Sequence, residues 1–175
     1  MLATRIALGL WNTGLVSQDA LIAWVDGRIR ASDTPSSDLL DLSWYGPVVC
    51  LKRPEFEFPA RPIRFTFVEE FSLRALALDI SDDLDAAQFV AWASHCCMGE
   101  DLAQPEVSLG YQLDHLCCDC DDKPSAVRLL RVELPRLMPQ CHAHASVFLA
   151  EVPDLAFQRS SGGSQPVRHH ARKGA

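Results

Sequence analysis

Apolar residues recur at the spacing of an α-helix through most of this chain, and that pattern limits the fold more than any other feature. In SQDALIAWVDGRI, which starts at Ser17, the residues Leu21, Trp24 and Val25 fall at positions i, i+3 and i+4. This spacing puts apolar side chains on one face of a helix. Ser17 suits the N-cap of that helix, and Gly14 suits the end of the preceding helix.

The same spacing predicts a series of further helices. We expect Pro135 to stop or kink the last of them, because proline lacks the N–H that an interior helical position needs. Pro35 suits the first turn of a short helix. A final segment near residues 143–152 fits no single type of element. The predicted helices lie near 2–13, 18–30, around Pro35, and near 66–79, 85–98, 105–118 and 125–134.

One stretch departs from the helical period. In residues 47–68, Phe56 and Phe58, and then Ile63, Phe65 and Phe67, alternate with polar residues. Alternation of this kind is typical of a half-buried strand. Several prolines in the same stretch confine any strand to a sheet edge, so an irregular linker between two helical halves fits equally well. The predicted fold class is therefore mainly α, made of packed helical hairpins with at most a small β element near residues 47–68.

Two segments resemble each other at a constant offset along the chain. ALGLWNTGLVSQDALIAWVDGRI, from Ala7, aligns with ALALDISDDLDAAQFVAWASHCC, from Ala75, and five positions are identical, Trp24 and Trp92 among them. Shared apolar periodicity explains these matches about as well as a gene duplication does. Our hypothesis is a duplication within one acidic helical domain over 1–157, with repeat halves 2–46 and 66–120. Each half is expected to bury its tryptophan on the apolar face of a helix.

Charge is unevenly distributed along the chain. Residues 158–175 carry four of the 16 basic residues and none of the 23 acidic ones, so residues 1–157 hold 12 bases and 23 acids, a net charge of −11. Such an acidic body repels the phosphates of nucleic acid, which argues against a nucleic-acid partner. Residues 158–175 are basic and rich in Gly, Ser and Gln, a composition that predicts a disordered tail.

The start of the chain and its cysteines indicate a compartment. An apolar run of six residues near the N-terminus is too short for a signal peptide or a membrane span, so we expect no membrane partner. The seven cysteines are an odd number that includes two adjacent pairs, unlike the even, spaced cysteines of secreted disulfide frameworks. We therefore expect reduced thiols and a cytoplasmic location.

The segment DHLCCDCDDK, residues 114–123, raises the question of a metal site. Cys117 and Cys120 form a C-x2-C motif, and Cys141 and His144 follow after 20 intervening residues as C-x2-H. That spacing is close to the spacing of four-ligand structural zinc sites. Against zinc stand the helical character of both segments and the aspartates beside the thiolates. Our interpretation is that these cysteines are small buried or half-exposed thiols and that the chain holds no cofactor, with zinc as the alternative.

Two groups of aspartates remain as candidate binding residues. They are Asp79, Asp82, Asp83 and Asp85, called the first aspartate cluster below, and Asp114, Asp119, Asp121 and Asp122, called the second aspartate cluster. Clusters of this kind are often solvated helix ends. On an acidic body they would also attract a basic protein. We find no nucleotide-binding, zinc-protease or serine-hydrolase motif in the chain.

Three hypotheses follow for function. The first is a protein-binding module, most concretely a bacterial immunity or antitoxin-like inhibitor that masks a basic partner such as a toxin, and that is not an enzyme. The second is a zinc-stabilised helical adaptor or regulator. The third is an enzyme whose active-site residues come together from scattered positions and not from one local motif.

Overall fold

The computed structural model describes residues 1–157 and is helical through most of them, with no strand in that range. The predicted mainly α class is confirmed. Residues 158–175, for which the sequence predicts a disordered basic tail, lie outside the described residues. The helices are α1 Leu2–Asn12, α2 Gln18–Arg30, α3 Ser37–Cys50, α4 Phe67–Ala77, α5 Asp83–Cys96, α6 Pro105–Asp114 and α7 Lys123–Leu149, and a π-helical turn, His115–Asp119, follows α6.

Side-chain caps set the first residue of several helices. The Ser17 hydroxyl accepts a hydrogen bond from the Ala20 N–H at 3.0 Å, as predicted. Thr66 and Glu69 form a reciprocal capping box at the start of α4. These contacts satisfy N–H groups that have no partner within the helix.

Two prolines have different effects from those predicted. Pro35 precedes α3 instead of lying in its first turn, because the helix begins at Ser37. α7 does not stop at Pro135 but continues through Pro135 and Pro139 to Leu149, so the segment near 143–152 is largely helical. Both prolines in α7 are exposed and are related as i and i+4, hence they lie on one face. The carbonyl groups that lose their donors there can bind water instead.

The predicted strand is absent from the described residues, and residues 51–66 form turns and irregular backbone. Phe58 is fully buried whereas Phe56 is 85% exposed, although strand alternation would place both on one face. Arg61 holds this segment in place by donating hydrogen bonds to the carbonyl groups of Leu51, at 2.9 Å, and Arg53. Of the two alternatives, the irregular linker is the one observed.

The interior consists of two apolar cores that share two helices. The first core is built mainly from α1, α2, α3 and the 51–66 linker, and the second from α4, α5, α6 and α7. α4 contributes Leu73 to the first core and Phe71 to the second. α7 likewise contributes Leu130 to the second core and Ala145 to the first. The two cores are therefore joined through α4 and α7.

The two halves present their helices in the same order. The offset that aligns Ala7 with Ala75 also brings the starts of α1, α2 and α3 to within one helical turn of the starts of α4, α5 and α6. In each half the second and third helices pack along one another, and the first helix touches both. This order is what a duplication would produce, and the duplication remains a hypothesis.

Two glycines allow backbone geometry that other residues would resist. Gly46 has φ +73° and interrupts α3. Trp44, two residues earlier, has 72% of its surface exposed. A Cβ on Gly110 would lie 2.7 Å from the Cβ of Cys97, so only glycine lets α6 approach the end of α5 this closely. Among the helices described here, none combines the length and apolar character that crossing a bilayer requires.

Candidate functional site

The net negative charge of residues 1–157 comes from one half of the chain. Residues 1–66 contain seven acidic and seven basic residues and are neutral overall. Residues 67–157, called the acidic half below, contain 16 acidic and five basic residues, a net charge of −11. Because the second core lies within this half, the charge surrounds the helices α4 to α7.

The first aspartate cluster combines structural and exposed side chains. Asp82 caps α5 by accepting hydrogen bonds from the N–H groups of Leu84 and Asp85, at 2.8 and 2.9 Å. Asp79 accepts hydrogen bonds from the Ser81 N–H and hydroxyl. These two side chains therefore help to fold the turn that starts α5.

The other two members of this cluster differ in exposure. Asp83 is 90% exposed and pairs with Arg131 of α7 at 2.6 Å. Asp85 is only 4% exposed and its Oδ1 has no hydrogen-bond partner. Burial raises the pKa of the Asp85 carboxyl above its usual value, and the nearby charges of Asp82 and Asp79 raise it further. Of this pair, only Asp83 is placed to meet a partner protein.

The second aspartate cluster surrounds the π-helical turn after α6. Asp119 accepts a hydrogen bond from Nδ1 of His115 at 2.8 Å, and both side chains are exposed. Asp122 caps α7 by accepting from the N–H and the hydroxyl of Ser125. These hydrogen bonds lower the pKa of the Asp122 carboxyl below its usual value. Asp121 is exposed with φ +50°, and Asp114 is half-buried.

The four candidate zinc ligands do not come together. Cys117 and Cys120 lie in and just after the π-helical turn, whereas Cys141 and His144 lie far along α7. From its start at Lys123 to Cys141, α7 rises by about 27 Å at the usual helical rise per residue. Within residues 1–157 no group of three or more metal-binding side chains is close enough to hold an ion.

Cys141 is a core residue. Its thiol is fully buried, and burial raises its pKa to about 11. A thiol with so high a pKa is protonated at neutral pH, so it is neither a good metal ligand nor a good nucleophile. Cys97 is buried in the same core, and burial raises its pKa also to about 11.

Two cavities open on the acidic half, and the loop between α5 and α6 lines both of them. The first, of about 500 Å³, is mainly apolar and runs between α6 and α7. Leu102, Tyr111 and Leu129 line it, and so does His115, the partner of Asp119. Asp119 of the second aspartate cluster is therefore next to an apolar groove, which we call the α6–α7 groove.

The second cavity, of about 580 Å³, lies where the first turns of α4 and α6 meet the last turns of α7. Three carboxylates line it, on Glu69, Glu100 and Asp101, and no lysine or arginine is among its described lining residues. The capping box holds Glu69, since its Oε2 accepts a hydrogen bond from the Thr66 N–H at 2.7 Å. We call this the acidic cavity.

A buried glutamate stands behind one wall of the acidic cavity. Glu106, in the first turn of α6, is fully buried, and neither carboxylate oxygen has a hydrogen-bond partner. Its Oε1 lies 3.5 Å from Nδ1 of His144, whose side chain is 36% exposed and lines the cavity. A buried carboxylate without a hydrogen bond is costly, and such groups concentrate at functional sites.

This pair of residues shows what sequence reasoning missed. The sequence indicates His144 only as a zinc ligand, and it does not indicate Glu106 at all. The two are distant along the chain and meet because α6 and α7 pack antiparallel, which no local motif encodes. Pro105 at the start of α6 marks the helix end where Glu106 lies, but nothing in the sequence indicates that its side chain turns inward.

The chain matches no protein-family model, no curated protein and no solved structure.

Proposed function

We propose that this chain is a protein-binding module whose acidic half captures a basic protein partner. The separation of charge carries this proposal, because a net charge of −11 surrounds one core while the other half is neutral. Fields of one sign over one face attract oppositely charged proteins and raise their association rate.

The surface of the acidic half has the anatomy that a binding interface requires. The α6–α7 groove offers an apolar centre, and Asp119 beside it offers a charged rim. Apolar centres with polar rims are typical of protein interfaces. A partner segment with apolar residues flanked by lysine or arginine would complement both parts.

In its narrower form, the proposal is an inhibitor of the bacterial immunity or antitoxin kind, which masks a basic toxin in the cytoplasm. All seven cysteines are free thiols, which fits a reducing compartment. A stoichiometric inhibitor needs complementarity to its target and no catalytic group of its own.

The experiment compares two triple variants that remove the same amount of charge. Asp83→Asn, Asp119→Asn and Asp121→Asn together remove three exposed charges from the acidic half. Asp33→Asn, Glu55→Gln and Glu57→Gln together remove three exposed charges from the neutral half. Capping and buried aspartates are left intact, so both variants should keep the fold, which circular dichroism can verify.

Proteins captured from the source cells by the immobilised chain are identified by mass spectrometry, and the association rate of each purified candidate is then measured by stopped flow. We expect the acidic-half variant to associate roughly tenfold more slowly and the control variant to associate nearly as fast as the unchanged chain. Raising the salt concentration should abolish the difference. An acidic partner, or equal rates for both variants, contradicts the proposal.

A further inference from the structure

We propose that the acidic cavity is a binding site for a guanidinium group, supplied by an arginine side chain of the basic partner. The claim that the arginine belongs to the basic partner rests on the proposed function, whereas the claim that the cavity binds a guanidinium group does not. The site lies apart from both aspartate clusters, at the other end of α6 from the second cluster.

The walls of the cavity suit the aliphatic part of an arginine side chain. Val68, Val107, Val147 and Phe148 supply apolar surface from α4, α6 and α7. A volume of about 580 Å³ lies within the range of small-ligand sites. Arginine commonly lays its methylene groups along apolar surface while its charged head meets polar groups.

The charged groups at the cavity are hydrogen-bond acceptors. Glu69, Glu100 and Asp101 are carboxylates, and each has two oxygens. Asp101 uses Oδ1 to accept from the Ala103 N–H at 3.0 Å, and Glu69 uses Oε2 in the capping box. Each of these two keeps a second oxygen as an acceptor for a ligand. Guanidinium is a donor-only cation with five N–H groups, so it matches this set.

Glu106 faces the ring of His144. Its Oε1 lies 3.5 Å from Nδ1 of His144, and neither atom has a hydrogen-bond partner, so the contact is electrostatic. A carboxylate favours the tautomer that turns a ring N–H towards it. In that tautomer Nε2 is the nitrogen that can accept a hydrogen bond from a ligand. Glu106 is thus a positioning residue that acts through His144.

Glu106 also supplies the energetic reason for a cation at this place. It is buried, and neither of its oxygens has a hydrogen-bond partner. The positive end of the α6 helix dipole offsets part of its charge, because Glu106 lies in the first turn. A guanidinium beside His144 would place a full positive charge one imidazole ring away, where the low dielectric of the interior strengthens the attraction.

The test uses the whole chain and three small probes. These are arginine with its ends acetylated and amidated, citrulline blocked in the same way, and blocked lysine. Citrulline replaces the guanidinium with a neutral urea of nearly the same shape. We expect blocked arginine to shift the NMR methyl signals of Val68, Val107 and Val147 in a saturable way. Blocked lysine should bind more weakly, and blocked citrulline should bind at least tenfold more weakly.

Two variants and a control test which residues contribute to the binding of blocked arginine. Glu106→Gln and Glu100→Gln should each weaken the binding of blocked arginine at least threefold, whereas Glu55→Gln in the neutral half should not change it. Glu100 is exposed, so its variant keeps the test valid if the Glu106 variant does not fold. In the Glu106 variant the ¹⁵N shifts of His144 should also show a change in tautomer, which a purely structural role would not produce.

Three results would overturn the proposal. They are equal binding of arginine and citrulline, no effect of Glu100→Gln, or ¹⁵N shifts that place the His144 proton on Nε2 in the unchanged chain. If blocked arginine binds as expected but the triple variant in the acidic half associates with the partner as fast as the unchanged chain, only the proposed function fails. If partner association follows the charge but blocked arginine does not bind, only the cavity proposal fails.

Discussion

The two tryptophans at matching positions of the halves have different surroundings. Trp24 is 6% exposed, and its Nε1 donates a hydrogen bond to the Pro153 carbonyl at 3.2 Å, which fastens α2 to the segment after α7. Trp92 is only half-buried and stacks on Phe67 with ring centroids 5.5 Å apart, while Arg74 lies over its ring. The prediction that both are buried is confirmed for Trp24 and is only partly right for Trp92.

We expect Trp24→Ala to lower the free energy of unfolding by about 3 to 5 kcal/mol, because it empties a large volume in the first core and removes the bond to Pro153. Urea denaturation followed by circular dichroism measures this. Ala23→Gly on the exposed side of the same helix is the control, with an expected loss of about 1 kcal/mol. A loss for Trp24→Ala no larger than that of the control would contradict its burial.

Asp85 should make stability depend on pH in a defined direction. Its pKa in the folded chain is raised above the usual 3.8, so the folded state holds the proton more tightly than the unfolded state. The contribution of this carboxyl to the free energy of unfolding therefore falls as the pH rises from about 3.8 through the raised pKa of the folded chain. The side chain introduced by Asp85→Asn does not titrate. We therefore expect the free energy of unfolding of this variant, minus that of the unchanged chain, to be larger at pH 7 than at pH 3.5.

Urea denaturation at both pH values measures that difference, with Asp83→Asn as the exposed neighbour for comparison. A variant whose relative stability is the same at both values, or is better at pH 3.5, shows that the Asp85 carboxyl is not destabilised by burial.

At the scale of the elements, the starts of α1, α2, α4, α5, α6 and α7 lie within two residues of the predicted starts. The predicted starts of α1, α2 and α6 are observed, α4 starts one residue later than predicted, and α5 and α7 each start two residues earlier. The caps Asp82 and Asp122 set the starts of α5 and α7, and the predicted starts did not use them. The length of α7 is not predictable from Pro135, since a helix passes through proline when neighbouring helices hold it in place. The aspartate clusters are visible in the sequence, but their division into caps, buried groups and exposed groups depends on tertiary packing.

The two interior prolines of α7 should cost stability. Each removes one hydrogen bond of the helix, and both are exposed, so neither contributes much to a core. We expect Pro135→Ala and Pro139→Ala together to raise the free energy of unfolding by about 1 to 3 kcal/mol, part of the helical penalty of proline being offset by greater freedom of the unfolded chain. Urea denaturation would show the reverse, a loss of stability, if packing against α4 needs a bend that the prolines impose.

At the scale of the whole molecule, the neutral half and the acidic half should respond differently to salt. Sixteen acidic and five basic residues crowd the acidic half, so repulsion outweighs the ion pairs within it. Salt shortens the screening length from about 10 Å at 0.1 M to about 3 Å at 1 M.

We therefore expect the melting temperature to rise by a few degrees when sodium chloride is raised from well below to well above physiological concentration, measured by differential scanning calorimetry. The triple variant Asp83→Asn, Asp119→Asn and Asp121→Asn should show a smaller rise than the control triple variant in the neutral half. A melting temperature that falls with salt would mean that attraction, and not repulsion, dominates the acidic half.

The sharing of α4 and α7 between the two cores is not symmetrical, and this affects how the chain is made. Every buried residue of the second core lies within residues 67–141, whereas the first core needs Leu73, Ala145, Val152 and Leu155 from the other half of the chain. Synthesis proceeds from the N-terminus, so the segment 1–66 leaves the ribosome long before its own core can close. The half that is made first is thus completed last, and nascent chains arrested before Ala145 should remain sensitive to protease within 1–66.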